Sequence, residues 1–178
     1  MGEVRPVAPV KLVCGIIAVR GRVLGEAQAA LSERFGPVDL ESDCVSFDFT
    51  DYYRAEMGPG LIRKFLSFAQ PIAPFELAGI KRAALALEDR FAVQDRDTRR
   101  RRVNLDPGYL AADKLVLATT KDFAHRMCIG NGIYAEVTLQ FSRGRCVCRE
   151  WTYPDFRSGA YDEFLLRVRR AYLAARPG

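Results

Sequence analysis

The sequence predicts an α+β fold in a single domain, and three observations carry that reading. Short apolar runs alternate with helical stripes between residues 11 and 105. Asn131-Gly132, the strongest two-residue hairpin signal, sits between strand-like stretches. An amphipathic stretch beginning at Ser158 closes the chain. A chain of 178 residues fits one domain and can bury about 70% of its unfolded surface.

Residues 1–10, with Pro6 and Pro9, read as a loose arm ahead of a domain spanning 11–176. Residues 11–19 form a β-branched apolar run bounded by Arg20-Gly21, the pattern of a buried strand. Leu24, Ala27, Leu31 and Phe35 follow at helical spacing, and Gly36-Pro37 stops them. Residues 44–49 and 61–68 read as strands. Pro74 opens a second helix at its first position, with Leu77, Ile80, Ala84, Leu87 and Phe91 as its apolar stripe. A charged loop at 95–102 then leads into a strand at 103–105. The order β-α-β-β-α-β is the ferredoxin-like pattern, with both helices buried on one face of a sheet.

Residues 115–120 read as a further strand. Asn131-Gly132 and Arg143-Gly144 divide the following stretch into strands near 125–129, 133–141 and 146–151, an antiparallel β-meander. In the C-terminal helix, Ser158 can cap, Asp162 and Glu163 lie in the first turn, and Arg167, Arg169 and Arg170 lie towards the last. Tyr161, Phe164, Leu165, Val168 and Tyr172 form its buried face.

Apolar and charged fractions of 49% and 28% are those of an ordinary soluble protein, and a net charge of +5 permits an anionic partner without demanding one. The first ten residues lack a signal-peptide apolar region, and the longest apolar run, 12–19, is far short of a membrane span. Five cysteines without paired spacing read as reduced thiols, so a cytoplasmic location is expected and no membrane partner. Cys146 and Cys148 share a strand face, but structural zinc sites use CxxC-type spacing.

Four polar–aromatic clusters carry the functional signal: DFTDYY at 48–53, NLDPGY at 104–109, TTKDFAHR at 119–126 and WTYPDFR at 151–157. Groups this dense suit a ligand site if the fold brings them together. A two-residue loop at Asn131-Gly132 pairs Ile129 with Tyr134 and Met127 with Glu136. That register puts His125, Tyr134, Glu136 and Thr138 on one face, and Ile133, Ala135, Val137, Leu139 and Phe141 on the other. A second turn sets Trp151 opposite Glu136, with Cys146 and Cys148 on the apolar face.

His125 and Glu136 are then either an acid–base pair or a cross-strand ion pair. Asp106 is the third catalytic candidate. Thr119, Thr120, Lys121, Arg126 and Arg157 supply charge-assisted donors for a phosphate or carboxylate, and Asn104, Tyr109 and Tyr134 join them as ligand contacts if the clusters converge. Asp48 and Asp51 have the oxygen chemistry for Mg²⁺, although Asp51 equally suits a helix N-cap. Asp106-Pro107-Gly108 reads first as a turn, and so does Pro154-Asp155. The basic run at 99–102 is a solvated loop or a nucleic-acid contact.

The strings SFDFTDYYRAEMGPGL, RRVNLDPGYL, KLVLATTKDFAHR, GNGIYAEVTLQF and WTYPDFRS together resemble the bacterial family called domain of unknown function 4416. The resemblance runs from about Lys11 to Tyr172 and implies no particular reaction. Some proteins similar to this family carry the label GTP-binding, yet the chain has no GxxxxGK[ST] loop. In Thr120-Lys121-Asp122 the Asp follows the Lys directly, unlike a guanine-reading motif, so a P-loop GTPase is excluded. GxSxG and HExxH are absent, and a single His argues against a paired-histidine phosphoesterase. The expectation is a cytosolic enzyme or ligand-binding domain for a small phosphorylated or carboxylated molecule. A nucleic-acid-binding module and a non-catalytic interaction protein are the alternatives.

Overall fold

The computed structural model describes residues 2–50, 52–95 and 98–175. Its strands are β1 (Val10–Val19), β2 (Val38–Glu41), β3 (Val45–Ser46), β4 (Leu61–Ile72), β5 (Val93–Asp95), β6 (Thr98–Arg100), β7 (Val103–Leu110), β8 (Lys114–Thr119), β9 (Met127–Gly130), β10 (Ile133–Ser142) and β11 (Arg145–Cys148). Its helices are α1 (Arg22–Phe35), α2 (Arg54–Met57), α3 (Leu77–Phe91), α4 (Pro154–Arg157) and α5 (Asp162–Ala175), with a 3₁₀ turn at Pro74–Glu76.

The architecture is mixed α+β around one large antiparallel sheet of order β11-β10-β8-β7-β1-β4-β2, with β3 on β4 and β9 on β10. Helices cover it on both faces. Leu12, Cys14, Ile16 and Ala18 of β1 pack with Leu24 and Leu31 of α1 and Ala84 and Leu87 of α3. Val13 and Phe65 pack on the opposite face against Phe164, Leu165 and Val168 of α5. A strand covered on both sides is apolar throughout, which is why β1 reads as an unbroken run.

Several expectations need correction. The strand expected at 44–49 is only Val45–Ser46; the pairing beside β4 is taken by β2, with Leu40 opposite Ser67. Phe47 turns inward to pack with Met57 and Leu61, which ends β3. The stretch read as a charged loop contains β6, which pairs antiparallel with β5. Asp106-Pro107-Gly108 is no turn but the middle of β7, with Cys14 opposite Pro107. Pro154-Asp155 opens α4, with the proline in its first turn. α5 begins at Asp162, because Gly159 with φ 77° interrupts the chain after Ser158.

The meander departs from its expected register at two bulges. Gly130 opposes Ile133 as the two-residue loop requires, but the next pairs are Tyr134–Cys128 and Ala135–Met127. A second bulge lies between Val137 and Leu139. It swaps faces: Ile133, Ala135 and Val137 pack towards α3, whereas Leu139 and Phe141 pack towards α5. The β10–β11 ladder stops at Leu139–Cys148, so Trp151 does not pair with Glu136; its indole donates to the Val137 carbonyl at 2.9 Å. Cys146 packs against the α5 cluster, but Cys148 is exposed. Among the described residues no helix is long and apolar enough to cross a membrane.

Candidate functional site

β7 is paired with β1 along its length, but with β8 only from Gly108 to Leu110. Towards Val103 the sheet splits. Such an edge leaves backbone groups without ladder partners, and α3 supplies them from side chains. The Lys81 ammonium donates to the Leu105 carbonyl at 2.6 Å, and Glu88 Oε1 accepts the Leu105 N–H at 2.8 Å. By strand alternation the next group on this edge belongs to Pro107, which has no N–H to satisfy. Below the split the strands close tightly. A Cβ on Gly108 would sit against the Val116 carbonyl oxygen and 2.6 Å from Leu117 Cδ2.

The split opens into a cavity of about 850 Å³, bordered by α2, α3, β7, the end of β8 and α4. Asn104 and Asp106 line it from β7, Leu117, Ala118 and Thr119 from β8, and Thr120 and Lys121 from the loop beyond. Phe47, Phe49, Tyr52 and Tyr53 add rings on one side, and Tyr153, Pro154 and Asp155 close another.

Its floor is a network of buried charges. Arg63, 4% exposed, donates to Asp155 Oδ2 at 2.6 Å and to Asp106 Oδ2 at 2.8 Å. The rings of Phe47, Phe65, Phe156 and Tyr161 surround its guanidinium at 4.9–5.8 Å. Gly15 leaves room for it, since a Cβ there would lie 3.0 Å from the guanidinium. Asn104 donates to Asp106 Oδ1 at 2.9 Å and accepts from Arg101 at 2.9 Å. Arg101 also pairs with Glu56 at 3.1 Å and approaches Glu88 at 3.7 Å. Burial pushes the Glu88 carboxyl up to about 7, against the opposing pull of Lys81 and the Leu105 N–H. Burial likewise pushes the Tyr53 hydroxyl up, so it stays neutral.

Glu136 forms part of the wall, and its oxygens are fully engaged. Oε2 lies 3.0 Å from His125 Nε2 and accepts from Arg126 Nε at 2.8 Å, while Oε1 accepts from Thr138 at 3.2 Å. His125 stacks on Trp151 at 5.2 Å and 11°. Arg126 further donates to the Lys121 carbonyl at 3.1 Å and the Tyr153 hydroxyl at 2.7 Å, tying the 120–126 loop to the opposite wall.

The cavity therefore gathers members of all four clusters. Of the residues singled out in the sequence, Asn104, Asp106, Thr119, Thr120, Lys121 and Glu136 border it. His125 and Arg126 stand behind Glu136. Arg157 does not border the cavity; its guanidinium donates to the carbonyls of Thr152, Arg149 and Glu150 and so braces the turn before α4. Tyr109 packs beside the Leu77 cluster, Tyr134 interacts with Asp122, and Asp48 is exposed away from the lining. Asp51 lies outside the described residues, and among those described no three His, Cys, Asp or Glu side chains are grouped to hold a metal ion.

Sequence reading missed Arg63, Lys81, Glu88 and Arg101. The signal was present for three of them. Lys81 and Glu88 fall with Leu77 and Ala84 on one stripe of α3, and Arg63 shares a strand face with Leu61 and Phe65 along β4. Ionisable residues at core positions mark a polar site inside the fold.

Fold and cavity define an α+β protein with a charged pocket at the point where its sheet divides. The chain matches the model Domain of unknown function (DUF4416) over residues 8–172 and belongs to that family. No curated protein and no solved structure matches it.

Proposed function

We propose that the cavity binds a small phosphorylated or carboxylated molecule that carries a planar ring. The observation carrying this reading is the state of Lys121. The cations of the floor are held by carboxylates or carbonyls, but no salt bridge engages Lys121 among the described residues. Its ammonium lies over the Tyr52 ring at 3.8 Å. The Thr119 hydroxyl accepts the Lys121 N–H at 3.2 Å, and Thr120 stands between them. An anion beside Lys121 and a ring against Phe49 or Tyr52 would use both features of this rim. The first half of the chain fits the ferredoxin-like pattern, supported by the order β7-β1-β4-β2 with α1 after β1 and α3 after β4.

A thermal-shift screen of nucleotides, sugar phosphates and small carboxylic acids, with and without Mg²⁺, tests the reading. A ligand at about 100 times its Kd adds about 2.7 kcal/mol to stability, roughly 5 to 10 °C for a chain of this size. Lys121→Ala should melt like the wild type and lose that shift. A screen without hits, or a hit bound equally well by Lys121→Ala, overturns the reading.

A further inference from the structure

We infer that anion binding in this cavity is coupled to the uptake of one proton by Glu88, an inference that rests on the anion-binding reading above. Glu88 borders the cavity and is 6% exposed. Its two oxygens have different duties. Oε1 accepts the Leu105 N–H, whereas among the described residues no hydrogen bond engages Oε2. The nearest cation to Oε2 is Arg101, at 3.7 Å, too far for a hydrogen bond.

The groups facing this carboxylate come from every element packed on it. Lys81 of α3 lies 3.8 Å away, Asp106 of β7 acts on it through space, Glu56 of α2 holds the far side of Arg101, and the thiol of Cys14 on β1, which feels the Glu88 charge, is itself neutral. Two cations thus favour the ionised form of Glu88 against the larger effect of burial, and both are shared with other carboxylates. An anion held at Lys121 adds negative charge to the cavity that Lys81, Glu88 and Arg101 also border, and Lys81 and Arg101 are the cations it can share with Glu88. The carboxylate answers the added charge by taking a proton from solvent onto Oε2, which relieves the repulsion. Burial already holds this carboxyl at about 7, so the uptake falls in the neutral range.

Titration calorimetry at pH 7, in two buffers of different ionisation enthalpy, counts the protons bound with sulfate, benzenesulfonate and AMP as probes. The wild type should take up a substantial fraction of a proton more than Glu88→Gln, which also removes ionisation of the probe from the comparison. If binding raises the Glu88 pKa by about one unit, wild-type affinity should be roughly fivefold tighter at pH 6 than at pH 8 relative to the variant. Infrared difference spectra of the wild type, with and without probe, should show a new protonated-carboxyl band, a readout that does not depend on the variant folding. Equal proton counts in wild type and variant, or no such band, overturn the coupling and leave the anion site standing. No heat from any probe overturns both.

Discussion

Replacing Arg63 with methionine should be among the most destabilising changes available, and neutralising its two partners at the same time should recover most of the loss. The guanidinium and Asp155 are 5% and 3% exposed at the side chain, and Asp106 is 22% exposed. Removing the cation leaves two carboxylates close together, one in the core and one at the cavity floor. Breaking a buried ion pair in this way costs about 3–5 kcal/mol, against a total stability on the order of 5–15 kcal/mol. The loss corresponds to roughly 6 to 20 °C in melting temperature. The network is not a net gain by the same measure. Among the described residues Arg63 Nε is buried without a hydrogen-bond partner, so part of the desolvation cost is never recovered. Arg63→Met with Asp106→Asn and Asp155→Asn should therefore stand within about 2 kcal/mol of wild type. Urea unfolding followed by the single tryptophan, Trp151, and by circular dichroism measures both variants. A single variant within about 1 kcal/mol of wild type, or a triple variant as unstable as the single one, refutes the reasoning.

Two further outcomes follow from the split in the sheet. The folded Glu88 carboxyl titrates near 7 against an unfolded value of 4.5. The stability that comes from keeping it neutral is fully present below pH 4.5 and is lost as the pH rises through 7. Glu88→Gln should accordingly gain about 2 to 3 kcal/mol on the wild type between pH 5 and pH 8; a difference that stays flat with pH contradicts the burial argument. Gly108→Ala forces a methyl group against the Val116 carbonyl and within 2.6 Å of Leu117, so β8 must move away from β7. It should cost more than about 2 kcal/mol in urea unfolding, and an unchanged midpoint would show that the strands have slack there.

What the sequence made legible was whatever depends on local periodicity. The stripes of α1, α3 and α5, the unbroken apolar run of β1 and the hairpin at Asn131-Gly132 follow from spacing alone. β2 escaped because four residues are too few to display a period. Asp106-Pro107-Gly108 has sound turn chemistry, but pairing with β1 on one side and α3 side chains on the other overrode it. The bulge at Thr138 leaves no trace in composition, since neither glycine nor proline marks it. At the site, clustering of polar and aromatic residues was visible, and the cavity contains members of each cluster. The buried ions were not, because a lone Arg or Glu within an apolar pattern looks like noise until a partner from another element is placed beside it.

The site and the fold share atoms. Opening β7 from β8 creates the cavity, and the same opening strands the N–H and C=O of Leu105 in the protein interior. Lys81 and Glu88 resolve that backbone problem and in doing so bring two ionisable groups to the cavity wall. Glu88 shows the economy at the level of one side chain on the cavity wall, with one oxygen holding the strand and the other 3.7 Å from Arg101 without a hydrogen bond among the described residues. The role of the strand anchor can be kept by glutamine, whose carbonyl oxygen accepts the same N–H, but not by alanine, which would leave that donor buried and unpaired at about 1–3 kcal/mol. Stability should thus separate glutamine from alanine at position 88, while proton uptake should separate glutamic acid from both. That double ordering is what a residue with one structural and one ligand-facing oxygen requires, and a purely structural salt bridge would not produce it.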